Sequence, residues 1–158
     1  MIKRILFVCT GNICRSPMAK AMFEDMVRND PVLSSARIEV SSAGMTPTYN
    51  TASSEAVEVM REYGLSLAGH QSRAIDSSLV AWADLILTME SWQKALVVAS
   101  FPAASSKTFT LAEYVGEDGD VPDPYGGGID DYRECAVRLQ SLLIKAAEKL
   151  IHIYGPED

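Results

Sequence analysis

Residues 5–23 read ILFVCTGNICRSPMAKAMF, and this stretch decides the fold. An unbroken apolar run ends at Cys9, turns through Gly11-Asn12, and passes Cys14-Arg15-Ser16-Pro17 into a helical pattern. A short apolar run without polar alternation predicts a strand buried on both faces of a sheet. Met18, Met22 and Met26 recur at every fourth place beside Ala19, Phe23 and Val27, so residues 17–28 predict a helix. Ser16 suits the N-cap, and Pro17 suits the first helical position, where its missing N–H is not needed. Strand, tight turn and helix in that order place the turn beyond the carboxyl end of a strand.

The same alternation continues outward from this unit. Arg37–Ser41 reads as a second strand closed by Ala43-Gly44, and residues 53–62 as a helix ending at Gly64. Asp76 suits the cap of a short helix, Asp84–Thr88 (DLILT) reads as a third strand, and a helix at about 90–99 precedes a fourth strand near 107–110. The last helix is the clearest. Tyr132, Cys135, Ala136, Leu139, Leu142, Leu143, Ala146 and Leu150 share one face, while Arg133, Lys145, Glu148 and Lys149 fall off it. Short strands alternating with helices predict one α/β domain over residues 1–158, a four-stranded parallel sheet with helices on both faces. The breaker-rich run GEDGDVPDPYGGG at 116–128 is the one long loop, and long loops inside a domain usually carry function.

Bulk properties narrow the classes of function. At 158 residues, 47% apolar and 22% charged, the chain fits one soluble globular domain that needs no staples. A net charge of −7 argues against nucleic-acid binding, which relies on Lys and Arg to neutralise phosphates. No apolar run approaches a membrane span, and MIKRILFVC lacks the apolar region and cleavage site of a signal peptide, so a cytoplasmic address is expected. Three cysteines and two histidines, without CxxC or HExxH, leave little for a metal site or a structural disulfide.

The chemistry concentrates at the first turn. Backbone N–H groups of Thr10, Gly11, Asn12, Ile13, Cys14, Arg15 and Ser16, a helix N-terminus and the Arg15 guanidinium converge on one point, which makes a phosphate cradle. Gly11 and Asn12 both tolerate the positive φ that a tight cradling turn requires. Helix N-termini beside cations favour the thiolate form of cysteine, so Cys9 reads as a nucleophile, and the Ser16 hydroxyl can help the sulfur leave. The C-x5-R-S arrangement therefore predicts phosphoryl transfer through a phosphocysteine. Nucleotide-binding signatures are absent: neither GxxxxGK[ST] nor GxGxxG occurs.

FVCTGNICRSPMA resembles the signature of the low-molecular-weight protein tyrosine phosphatases. SSAG at 41–44, GHQSRAI at 69–75, ADLILTME at 83–90 and DPYGG at 123–127 resemble further motifs of that family, so the likeness spans nearly the whole chain. Asp123, bracketed by Pro122 and Pro124, reads from the residues alone either as a surface turn or as a loop carboxylic acid. The resemblance implies the second: Asp123 as general acid and then general base. It further implies that Tyr125 flanks the substrate, and that Asn12, Ser42 and His70 hold the phosphate loop, with Arg73 also structural. Glu90 stands where many members carry aspartate, which leaves the local bonding open. Asp118, Asp120, Asp130 and Asp131 are expected as solvated charges. Cys14 reads as a redox partner that protects Cys9 or as a small buried residue, and Cys135 as core.

The resemblance implies no metal and no cofactor. It implies a tyrosine-phosphorylated protein as partner, with a bacterial tyrosine kinase as one candidate, and a monomer or weak dimer. The acid-loop region looks close to a bacterial branch that includes protein-arginine phosphatases. That branch carries threonine where this chain has Ile13, and an apolar side chain at the mouth suits an aryl ring better than a guanidinium, so phosphotyrosine is expected. Arsenate reductase of a related fold needs two further cysteines near the third strand, where this chain has none. A non-catalytic phosphoprotein-binding module would not need Cys9, Arg15 and Asp123 together.

Overall fold

The computed structural model of the protein describes residues 1–156. At its centre lies β1 (Arg4–Cys9), flanked by β2 (Glu39–Gly44) and β3 (Leu85–Thr88), with β4 (Thr108–Thr110) beyond β3. The order is β2-β1-β3-β4, and every pairing is parallel. With neighbours on both sides, successive β1 side chains enter opposite cores. Ile5, Phe7 and Cys9 join one cluster, and Leu6 and Val8 join the other. That double burial explains the unbroken apolar run.

Helices α1 (Arg15–Asn29), α3 (Ser54–Glu62) and α7 (Ile129–Tyr154) supply the larger cluster through Met18, Met22, Phe23, Val59, Met60, Leu139 and Leu143. Helices α4 (Ser77–Trp82) and α5 (Ser91–Ser100) cover the other face with Val80 and Val97. Short helices α2 (Pro31–Ser35) and α6 (Leu111–Tyr114) and a 3-10 turn at Pro102–Lys107 complete the chain. The single-domain α/β sandwich expected from the sequence is what forms. No described helix is long and apolar enough to cross a membrane.

Three local expectations change. The first helix begins at Arg15, so Ser16 lies inside its first turn and is not the N-cap; its hydroxyl turns to Cys9 instead. The second strand starts at Glu39 and runs through Gly44, because Arg37 takes φ 57° in the turn after α2. Gly44 stays in the ladder opposite Cys9, and a Cβ there would sit 2.8 Å from the Thr10 carbonyl oxygen. Helix α2 was not legible as a periodic segment, since five residues are too few, yet Asp30 caps it by accepting from Val32 and Leu33 N–H.

The chain runs from β1 out to β2, then crosses β1 to build β3 and β4. The carboxyl end of β1 is therefore a topological switch point, where open α/β sheets bind ligands. Cys9 stands there.

Candidate active site

The loop from Cys9 into α1 is organised by Asn12, which is fully buried and adopts φ 56°. A left-handed asparagine is tolerated but must be held. Its Nδ2 donates to Ser16 Oγ at 2.8 Å and Ser42 Oγ at 3.0 Å, while its Oδ1 accepts from Arg73 N–H at 3.0 Å. Its carbonyl accepts from the Ser72 hydroxyl at 2.9 Å and lies 2.7 Å from His70 Nε2. Of the two residues that tolerate a positive φ here, Gly11 and Asn12, Asn12 alone makes the left-handed step in this loop. The second strand contributes differently, as Gly44 lets its backbone lie directly against Thr10 and Asn12.

These bonds aim at Cys9. Its Sγ accepts from Asn12 N–H at 3.3 Å and lies 3.0 Å from Ser16 Oγ. Because Ser16 Oγ accepts from Asn12, its own hydrogen is free for the sulfur or for the Ala43 carbonyl at 3.3 Å. The first N–H groups of α1 lack intrahelical acceptors and supply partial positive charge at the same end.

Arg15 is 1% exposed, and its guanidinium is fixed on two sides. Nη1 donates to Glu90 Oε2 at 2.7 Å and to the Val121 carbonyl at 2.8 Å. Nη2 donates to Thr10 Oγ1 at 3.2 Å and lies 3.5 Å from Asp123 Oδ2. Burial disfavours the charge, but the bond to Glu90 and the fields of Cys9 and Asp123 outweigh it, and the pKa is raised. Glu90, whose bonding the sequence left open, is thus the partner of Arg15. Gln93 ties this arm down. Its Oε1 accepts from Met89 and Glu90 N–H, and its Nε2 donates to Thr10 Oγ1 at 3.1 Å.

Asp123 meets Arg15 from the long loop, with Tyr125 N–H donating to its Oδ1 at 3.1 Å. The loop is anchored at both ends. Asp120 accepts from Ser91 N–H and hydroxyl, and Asp131 accepts from Gly128 N–H at the start of α7. Neither is merely a solvated charge. Asp118, exposed, and Asp130, paired with Arg133, do remain at the surface.

Cys9, Thr10, Gly11, Ile13, Cys14, Arg15, Asp123 and Tyr125 line one cleft of about 290 Å³. Its mouth also holds Thr46, Thr48 and Tyr49, none of them legible in the sequence, because a tyrosine in the loop TPTYN carries no periodic signal. Tyr49 and Tyr125 face each other with ring centroids 6.5 Å apart, and their hydroxyls are 3.5 Å apart. Asn12, Ser16, Ser42, His70 and Arg73 stand behind the loop. Cys14 is buried, 3.3 Å from Tyr132 Oη and 3.5 Å from Ser53 Oγ, and burial pushes its thiol pKa up. Cys135 is core, and burial pushes it up to about 12.

A buried guanidinium, a cysteine at a helix N-terminus and a loop carboxylate around one cleft suit the binding and transfer of a phosphoryl group. Relatives agree. The chain is 43% identical over 149 residues to a protein-arginine-phosphatase of Geobacillus stearothermophilus, covering 93% of this chain and 95% of that one. It is 35% identical over 142 residues to the low molecular weight protein-tyrosine-phosphatase PtpB of Staphylococcus haemolyticus, covering 90% and 96%. Its fold matches a YwlE arginine phosphatase mutant with a phosphorylated active-site serine, at TM-score 0.87 and 38% identity over 93% of this chain and 95% of that one. The family profile described as low molecular weight phosphotyrosine protein phosphatase matches residues 4–152, and the chain belongs to this family of phosphoric monoester hydrolases.

Proposed function

We propose that the protein hydrolyses phosphotyrosine in proteins, with Cys9 as nucleophile, Arg15 as oxyanion clamp and Asp123 as acid and base. The wall of the cleft carries this reading. Ile13, Tyr49 and Tyr125 form an apolar and aromatic mouth, and Asp123 is the one carboxylate lining it among the described residues. A phenyl ring fits between such walls, and of the described residues lining the cleft only Asp123 carries a charge that a guanidinium could pair with.

In the first step Cys9 sulfur attacks phosphorus, the S–P bond forms, and the P–O bond to tyrosine breaks as Asp123 protonates the departing oxygen. Water then attacks phosphorus while Asp123 removes its proton, and the S–P bond breaks with Ser16 donating to the leaving sulfur. Arg15 and the loop N–H groups balance the charge on the equatorial oxygens throughout. The phosphorylated serine in the relative's structure supports a phosphoenzyme intermediate. The three free cysteines suit a reducing, cytoplasmic compartment.

The relatives named as arginine phosphatases favour a second reading, cleavage of the P–N bond of phosphoarginine. Peptides bearing each phospho-residue, assayed in parallel, separate the two. Wild type is expected to prefer phosphotyrosine in kcat/KM. Ile13→Thr is expected to shift the ratio toward phosphoarginine by about 10- to 100-fold, the range one apolar contact commands. A wild-type preference for phosphoarginine would overturn the tyrosine assignment.

We also assign Cys14 as the thiol that protects Cys9. Peroxide oxidises the Cys9 sulfur to a sulfenic acid; attack by the Cys14 sulfur forms the S–S bond and releases water. Its raised pKa and its contacts with Tyr132 and Ser53 keep Cys14 a thiol until then. Activity lost to brief peroxide treatment is expected to return with dithiothreitol in wild type but not in Cys14→Ser. Equal recovery in both would remove this role.

A further inference from the structure

We propose that a pocket on the reverse side of the phosphate loop is a second oxyanion site, for a dianion of the phosphate or sulfate class. The pocket, about 340 Å³, is lined by Lys20 from α1, Ser41 and Ser42 from β2, and His70, Ser72 and Arg73 from the loop before α4. Among the described residues, no lining residue is shared with the catalytic cleft and no carboxylate lines the pocket. In a chain of 21 acidic residues against 14 lysines and arginines, a lysine, an arginine and a histidine around one concavity without a lining acid are a local concentration of cationic donors.

The partners of each group sharpen this. Arg73 donates from Nε to the Ser42 carbonyl at 3.3 Å and from Nη2 to the Ser41 hydroxyl. It enters no ion pair among the described residues, so its charge meets only neutral acceptors. Lys20 pairs with Glu24 at 3.0 Å in a partly exposed i,i+4 contact, the kind that contributes little and exchanges readily. His70 faces the Asn12 carbonyl through Nε2, and a carbonyl oxygen can only accept, so Nε2 carries the proton. Its Nδ1 then holds a lone pair and has no hydrogen-bond partner among the described residues.

The surroundings of His70 keep it neutral. Burial lowers its pKa first, and the positive fields of Lys20 and Arg73 lower it further, against the bond to Asn12. The other polar side chains lining the pocket, Ser41, Ser42, Gln71 and Ser72, are uncharged, as is the Asn12 carbonyl. A bound dianion reverses each charge effect. It offsets Lys20 and Arg73, draws a proton onto Nδ1, and gains a third cationic donor beside two serine hydroxyls. The site would then be linked to catalysis by geometry, since the same imidazole holds the carbonyl of left-handed Asn12.

The chain's two histidines make the test direct. The ring protons of His70 and His152 are followed by NMR against pH, in sulfate and in chloride at equal ionic strength. Sulfate serves as probe because it stays a dianion across the titration. In wild type, saturating sulfate is expected to raise the His70 pKa by about half a pH unit or more and to leave His152 in place. Sulfate in the catalytic cleft would act equally on a variant with the cleft intact. Lys20→Glu is that variant, and it supplies an internal carboxylate to the pocket. Its His70 is expected to titrate higher than wild type already in chloride, and sulfate is expected to move it no further. An equal sulfate response in wild type and Lys20→Glu would assign the effect to the catalytic cleft and overturn the proposal. An unmoved His70 in wild type would do the same. Turnover plays no part in this readout, so the reaction proposed for Cys9 can fail without affecting it.

Discussion

Cys9→Ser is expected to abolish steady-state turnover of an aryl phosphate, by about four orders of magnitude or more, while oxyanion binding persists. The substitution exchanges one atom. Asn12 N–H and Ser16 Oγ, 3.3 Å and 3.0 Å from the sulfur, still have an acceptor there, and the fold is untouched. What is lost is chemistry. An alcohol is scarcely ionised at neutral pH, and a serine oxygen is a far poorer leaving group than a thiolate when water must cleave the phosphoenzyme. Arg15 keeps its bonds to Glu90, Val121 and Thr10, so the cradle still binds an anion. The measurement is p-nitrophenyl phosphate kinetics beside calorimetric titration with phosphate. Turnover near the wild-type rate would sink the phosphocysteine mechanism. Loss of phosphate binding along with turnover would show instead that the sulfur organises the loop.

Asp123→Ala is expected to lower kcat/KM by about 10²- to 10⁴-fold for phenyl phosphate or phosphotyrosine, and much less for nitrophenyl esters. A proton on the departing oxygen matters in proportion to that oxygen's basicity, so the defect grows with leaving-group pKa. The ratio kcat/KM reports steps through release of the phenol, and the later role of Asp123 in hydrolysis does not blur it. The side chain is 41% exposed and contacts Arg15 at 3.5 Å, so its removal leaves no buried charge unpaired; Glu90 remains on the guanidinium. Equal slowing across esters of different leaving-group pKa would exclude Asp123 as the acid and cast it as a partner of Arg15 only.

The sequence carried the main elements because their signals are local. Ile5–Cys9 is apolar throughout because both of its faces are buried, while the Met18-to-Val27 pattern and the stripe from Tyr132 to Leu150 each bury one helix face, and such patterns report burial. Errors fell where a side chain had two local uses. Ser16 looked like an N-cap, since serine before proline commonly is one, but the helix starts a residue earlier and the hydroxyl serves Cys9. Arg37 looked like a strand residue, yet a five-residue helix ends just before it and the chain turns left-handed there. Gly11 and Asn12 could both take the positive φ and Asn12 does, while the glycine that geometry demands is Gly44, whose constraint is contact with a loop more than thirty residues away in sequence.

From residues 5–23 alone follow a buried parallel strand, a tight turn into a helix and a cysteine-arginine pair, because the signals for all three lie between neighbours along the chain. Only the tertiary structure joined Glu90 and Gln93 to Arg15, set Tyr49 opposite Tyr125, and gathered Lys20, His70 and Arg73 behind the loop. Those contacts depend on the crossover that puts β2 and β3 on either side of β1. Charge pairing across such distances is set by where strands end in space, and no periodicity in the chain encodes it.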